Sequence, residues 1–124
     1  MDFFDFPERP EFDVVCLCLV VNFEGVPARR GDMLVRTTRV LHPGGHLFFV
    51  LPLACVNNSR YFTMEILIQM LEAVGYSVVE KHTSPKLFFL MAVFNGAPKE
   101  KCEGKFPKQL LLGGKDHNNF HITL

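Results

Sequence analysis

The chain has 124 residues, 48% of them hydrophobic and 21% charged, and thirteen basic residues balance thirteen acidic ones. That length allows one domain around one core, and no run of eighteen apolar residues offers a membrane-spanning helix. The four cysteines have neither the spacing of a disulfide framework nor that of a four-ligand zinc site.

The opening MDFFDFPERPEF is acidic and carries prolines. With no basic or apolar leader region, it argues against a secretory or transit peptide. Residues 1–26 hold six acids and one Arg, residues 27–96 seven bases and four acids, and residues 97–124 five Lys and three acids. A basic middle and tail behind an acidic start gives mild support for an anionic partner.

Asp13–Val21 is almost unbroken apolar, rich in β-branched residues and too short for a helix. It predicts a strand covered on both faces, as in a parallel sheet, with Cys16 and Cys18 on one face as small buried thiols in a reducing compartment. Pro27 suits the first turn of a helix. From Ala28 to Leu41, Met33, Leu34, Thr37, Val40 and Leu41 recur at helical steps, with Arg29, Arg36 and Arg39 on other faces. His42-Pro43-Gly44-Gly45 should stop that helix, and His46–Leu53 reads as a second continuous apolar strand.

Thr63 caps the clearest helix, with Met64, Leu67, Ile68, Leu71 and Val74 as its apolar stripe and Gly75 as its end. Tyr76–Lys81 predicts a half-buried strand, Ser84-Pro85 a turn, and Leu87–Phe94 a fully apolar strand antiparallel to its predecessor. That last strand is too apolar for an edge and should insert between earlier ones. The expected order is β-α-β-α-β-β over residues 1–96. Residues 97–124 then form a lysine-rich linker and a tail that folds back on the domain.

In open α/β sheets, ligands bind beyond the carboxyl ends of the strands. This points to Asn22-Phe23-Glu24-Gly25 after the first strand and to Asn57-Asn58-Ser59-Arg60-Tyr61 after the second. The second loop combines amides that can read a base edge, an Arg for phosphate and an aromatic that can stack. It reads equally as a hydrogen-bonded turn leading to the Thr63 cap. Phe23 can stack on a base or cover the sheet end, and Asn22 can bond an acceptor or cap the next helix. Asp2 and Asp5 flank two phenylalanines and can be surface charge or a cofactor contact. His117 and His121 have helical ligand spacing but no third ligand, so no metal is expected. Phosphate- and dinucleotide-type glycine fingerprints are absent.

The stretch FDVVCLCLVVNF…RRGDMLVRTTRVLHPGGHLFFVLPL resembles the region from the fourth strand onward of class I S-adenosylmethionine (SAM) methyltransferases. The continuation LPLACVNNSRYFT, LEAVGY, KLFFLMAVF and the closing FPKQLL…HNNFHITL is similar to the fungal large-subunit ribosomal RNA adenine-N(1) methyltransferase family. The resemblance runs over essentially the whole chain. It implies an α/β, partial Rossmann-like sheet: strands four to seven, the last hairpin antiparallel, without the N-terminal SAM-binding half. It further implies methyl transfer from SAM to an adenine of 25S-type rRNA in the nucleolus of the nucleus, with no membrane and no metal.

By that resemblance, Asp2 falls at the acidic position that reaches the cofactor adenine, Asn22 and Phe23 on the acceptor loop, and Asn57, Asn58, Ser59, Arg60 and Tyr61 on the family's distinctive substrate segment. Phe23 or Tyr61 would be the stacking platform, Asn22 or Asn57 the edge reader, and Arg60 a phosphate contact. The glycine-rich loop and acidic residue that hold SAM have no counterpart, so poor SAM binding by this chain alone is expected. Two rival expectations are a non-catalytic SAM-sensing protein of the same superfamily and an inactive truncated gene product.

Overall fold

The computed structural model describes residues 9–10, 12–97, 106, 110–111 and 117–124. Phe12–Cys18 forms β1, followed by a 3-10 turn over Val21–Phe23 and helix α1 over Pro27–Val40. Strand β2 (Leu41–Pro52) leads through the single turn α2 (Ala54–Asn57) to helix α3 (Met64–Val74), then β3 (Tyr76–Thr83) and β4 (Leu87–Phe94). The four strands lie in the order β1-β2-β4-β3, with β1 parallel to β2 and the other neighbours antiparallel. The apolar β4 does insert between β2 and β3, where both its edges are paired.

Local chemistry explains the helix ends. Pro27 opens α1, where its missing N–H costs nothing. Thr63 Oγ1 accepts from the Ile66 N–H at 3.2 Å, and Gly75 closes α3 at φ 115°. A Cβ at Gly75 would also come within 2.5 Å of the Ala97 carbonyl oxygen. The buried stripe of α3 is Leu67, Met70, Leu71, Ala73 and Val74, whereas Met64 and Ile68 are only half-buried. Tyr76, at the start of β3, is buried and bonds Thr37 of α1 at 2.6 Å. The Thr37 hydroxyl donates to the Leu34 carbonyl, so the Tyr76 hydroxyl is the donor of that pair.

Two strand boundaries differ from the sequence expectation by three residues or more. The first strand ends at Cys18 and not at Val21, because Leu19 adopts φ 58° and turns the chain into the 3-10 segment. That left-handed conformation costs a non-glycine residue about 1–2 kcal/mol. Here the Leu19 N–H still donates to the Val50 carbonyl at 3.0 Å. The second strand begins at Leu41, directly after α1, and the predicted His-Pro-Gly-Gly turn is a bulge inside it. Phe12 pairs with Leu41 but Val14 with His46, so three extra residues loop out of β2, with Gly44 at φ 85°. Gly45 is required there: a Cβ would lie 3.0 Å from the Asp13 carbonyl oxygen.

The third difference concerns the faces of the sheet. Both long helices and residues 117–124 pack with Leu17, Leu47, Phe49, Leu51, Phe88, Leu90, Ala92 and Phe94 into one core, where these strand residues are 0–5% exposed. The alternate residues share the opposite face: Val14, Cys16 and Cys18 of β1 align with His46, Phe48 and Val50 of β2, and these with Val93, Met91 and Phe89 of β4. Val14 there is 56% exposed, Cys16 and Cys18 are exposed, and Phe48, Phe89, Met91 and Val93 are half-buried. The expected two-sided cover of the first strand is thus one-sided among the described residues, and β1 is a sheet edge.

Candidate functional site

Because β1 and β2 run parallel, their carboxyl ends meet at one rim of the sheet, and the loops after them meet there too. The antiparallel β4 starts at the same rim, with Leu87 opposite Pro52. Acceptor loop, α2 and the β3–β4 turn therefore share one end of the fold, where this architecture leaves room for ligands.

On the acceptor loop, Phe23 is the most exposed large apolar side chain described, at 82%. Its neighbour Asn22 is half-buried, and the Oδ1 atom of its amide is shielded from water with no hydrogen-bond partner among the described residues. The loop is held from behind. Arg30, one turn into α1, donates through Nε to the Glu24 carbonyl at 2.6 Å and through Nη1 to the His121 carbonyl at 2.8 Å. Its guanidinium also lies 4.5 Å from the centre of the Phe120 ring. Burial lowers the Arg30 pKa, opposed by Cys55 and Glu24, and burial raises that of Cys55, opposed by Arg30. Glu24 in turn bonds the Val26 N–H and pairs with Arg29 at 3.2 Å.

The segment Asn57–Tyr61 divides into two parts. Asn57 ends α2 and is exposed. The next four residues hold the C-terminal tail. His117 donates from Nδ1 to Asn58 Oδ1 at 2.6 Å, and the buried Ser59 hydroxyl donates to the Phe120 carbonyl. Arg60 Nη1 donates to Asn119 Oδ1 at 2.7 Å, and the Tyr61 carbonyl is 3.3 Å from His121 Nδ1. Backbone bonds extend the seam, from Asn118 N–H to the Asn58 carbonyl and from Arg60 N–H to the Asn118 carbonyl. Phe62 packs edge-on against Phe120 at 5.3 Å. His117 and His121 lie in a segment without helix. Asp2 and Asp5 lie outside the described residues.

Beyond this seam, the tail crosses α1 where only glycine fits. A Cβ on Gly31 would sit 1.9 Å from the Thr123 carbonyl oxygen, and the Thr123 N–H donates to the Pro27 carbonyl at 3.1 Å. Phe120, His121 and Ile122 are buried. Sequence reasoning missed Arg30 and this tail as parts of the site. The one signal was the aromatic HNNFHITL following a lysine-rich linker, which does not say where the aromatic residues land.

The described residues do not fit a SAM cradle. The one Gly-Gly pair among them, Gly44-Gly45, lies in the bulge at the amino end of β2, opposite the rim that carries Phe23. What they do build is an exposed aromatic beside a shielded amide acceptor, on a loop braced by an arginine.

Solved structures share this fold. The 1,6-didemethyltoxoflavin-N1-methyltransferase of Burkholderia thailandensis, solved with bound 1,6-didemethyltoxoflavin and S-adenosylhomocysteine, superposes with a TM-score of 0.66 at 15% identity. It matches 77% of this chain and 49% of its own. The 16S rRNA (adenine(1408)-N(1))-methyltransferase of Catenulisporales acidiphilia gives 0.54 at 17% identity, over 81% of this chain and 58% of its own. The four-stranded mixed sheet is thus about half of a class I SAM methyltransferase fold.

In sequence, the chain is 35% identical to the 25S rRNA (adenine(2142)-N(1))-methyltransferase of Saccharomyces cerevisiae, over 97% of this chain and 37% of that protein. It is 31% identical to the 25S rRNA adenine-N(1) methyltransferase of Schizosaccharomyces pombe, over 94% of this chain and 44% of that protein. It therefore spans less than half the length of these relatives. The model of the Bmt2 family, 25S rRNA (adenine(2142)-N(1))-methyltransferase, matches residues 1–122, and the chain belongs to that family.

Proposed function

We propose that this chain forms the acceptor-side half of a SAM-dependent methyltransferase that modifies N(1) of an adenine in large-subunit rRNA. The observation that carries the reading is Phe23, a fully presented aromatic ring on a braced loop at the ligand rim of the sheet. Aromatic faces of this kind hold a base drawn out of its stack. SAM would be held mainly by groups outside the described residues, Asp2 among them.

N(1) of adenine already carries a lone pair, so the acceptor needs no base to remove a proton before it attacks. The protein's task is placement of that atom, and correct placement supplies much of such a rate enhancement. Phe23 would stack on the adenine ring. Asn22 would swing its Oδ1 onto the exocyclic amine, which relieves an acceptor that costs about 1–3 kcal/mol when left buried and unbonded. Arg30 keeps the loop still by gripping the Glu24 carbonyl. Asn57 faces the rim as an edge reader for the bound strand, and Arg60 and Tyr61 flank the tail seam, where Arg60 can offer charge to a phosphate. In this reading Asn58 and Ser59 serve RNA indirectly, by fixing the tail behind the loop. An rRNA substrate brings a nuclear and nucleolar location with it, since ribosomal RNA is made there.

The test uses 25S rRNA from cells that express this chain. N(1) methylation blocks the pairing edge of adenine, so reverse transcription should stop at one adenine. Disrupting the gene should abolish the stop, the wild-type gene should restore it, and Phe23→Ala should not. A stop that survives disruption refutes the reading.

A further inference from the structure

Beside the acceptor loop, at the same rim, an open groove of about 460 Å³ runs between α2 and the β3–β4 turn. Pro52, Leu53, Ala54 and Asn57 form one wall, and Pro85 and Lys86 the other. The walls are built differently from their surroundings. Flat apolar surface comes from the two prolines and Leu53. Polar capacity comes from the exposed Asn57 amide, which both donates and accepts, and from the exposed Lys86 ammonium. Neither side chain bonds another described residue, and no acid among the described residues lines the groove.

Its backbone is pinned. The Leu53 N–H donates to the Lys86 carbonyl at 2.8 Å, closing the two walls on each other. The turn is fastened twice, from Ser84 N–H to the Leu87 carbonyl and from Leu87 N–H to Ser84 Oγ. Lys86 therefore projects from a fixed point and not from a floppy loop. The groove sits at the ends of β2 and β4, one and two strands across from β1, hence about 5–10 Å from the end of the strand that leads to Phe23. A polynucleotide with one base on Phe23 can bring an adjacent residue to this opening.

We propose that the groove binds the nucleotide next to the target adenine in the same RNA strand. Lys86 contacts its phosphate, Asn57 reads its base edge, and the proline walls take its apolar faces. The inference rests on the acceptor role given above to Phe23, and it adds a place for a second nucleotide, built with Lys86 and the proline walls. Phosphate contacts position a strand while base-edge contacts select sequence, so the two residues have separable effects.

The experiment measures fluorescence anisotropy of a fluorescein-labelled, adenine-rich single-stranded RNA titrated with the purified chain at several salt concentrations. Lys86→Ala should weaken binding several-fold and lower the slope of log affinity against log salt by about 0.7, the loss of one phosphate contact on a single strand. Lys86→Arg should restore both. Asn57→Ala should weaken binding at unchanged slope and alter the preference for the base beside adenine. Circular dichroism of each variant keeps loss of fold apart from loss of contact. Unchanged affinity and slope in Lys86→Ala overturn the proposal, as does failure of the folded wild-type chain to bind the RNA. Either result leaves the reverse-transcription test of Phe23 standing, so failure of the groove and failure of the methyltransferase reading are told apart.

Discussion

The two faces of this sheet are made by the same strands, both largely apolar in the central ones, and they fare very differently. On one face Phe49, Leu51, Phe88 and Leu90 are sealed under α1, α3 and the tail, at 0–1% exposure. On the other, Phe48, Phe89 and Met91 lie half open, and Val14 at the edge is 56% exposed. Runs such as HLFFVLPL do not alternate with polar residues, because parallel-type sheets bury both sides. The composition of the strands thus carries a demand for cover that the described residues meet on one side. The sealed side carries the brace of the candidate site: the loop after β1 is held by groups that also close that core.

If the contrast is energetic as well as geometric, matched substitutions should split by face. Phe49→Ala should cost about 3–5 kcal/mol in denaturant unfolding, and Phe48→Ala, one residue along, well under half of that. Equal losses would break the comparison. Next in size is Gly31→Val, which drives side-chain atoms into the Thr123 carbonyl. It should cost about 1–3 kcal/mol and release the tail, seen as rapid hydrogen exchange at Phe120 and Thr123 with the strands still protected.

Thr63→Ala removes the cap of α3 and should cost about 1 kcal/mol, with unfolding remaining a single transition. Thiol chemistry sharpens the contrast without changing the fold. Iodoacetamide should modify the exposed Cys16 and Cys18 quickly and the buried Cys55 slowly, as read by peptide mass spectrometry. Burial raises the Cys55 pKa against the pull of Arg30, so its labelling should rise at a higher pH than that of an ordinary thiol. The sign for stability follows: a fold that holds this thiol protonated gains from it below the ordinary thiol range and loses that gain as pH climbs through the raised value. Smallest of all, Val14→Thr on the open edge should shift stability by less than about 0.5 kcal/mol.

Much of this was legible in the sequence, and the reason is locality. Thr63 and Gly75 announce the ends of α3 through chemistry within a few residues, and the charge-free Leu87–Phe94 announces a strand paired on both edges. Phe23 stood out as an aromatic where a strand gives way to a loop. The limits of β1 did not show, since nothing in Cys18-Leu19-Val20 advertises a left-handed backbone at Leu19. The fate of Asn57–Tyr61 did not show either. Amides, a hydroxyl and an arginine suit an RNA contact or a hydrogen-bonded seam equally well, and only the distant segment Asn118–His121 decides how they are used. Arg30 and Lys86 escaped notice for the same reason, because their partners and neighbours lie across the fold.

Arg30 and the carbonyl it holds at His121 are 91 residues apart. Synthesis reaches His121 long after Arg30, so the loop after β1 gains this brace only when the later segment joins the core. A chain cut back before Phe120 should therefore carry Phe23 on a slack tether. Order at that loop would then arrive in one late closure, and would not grow by degrees with chain length.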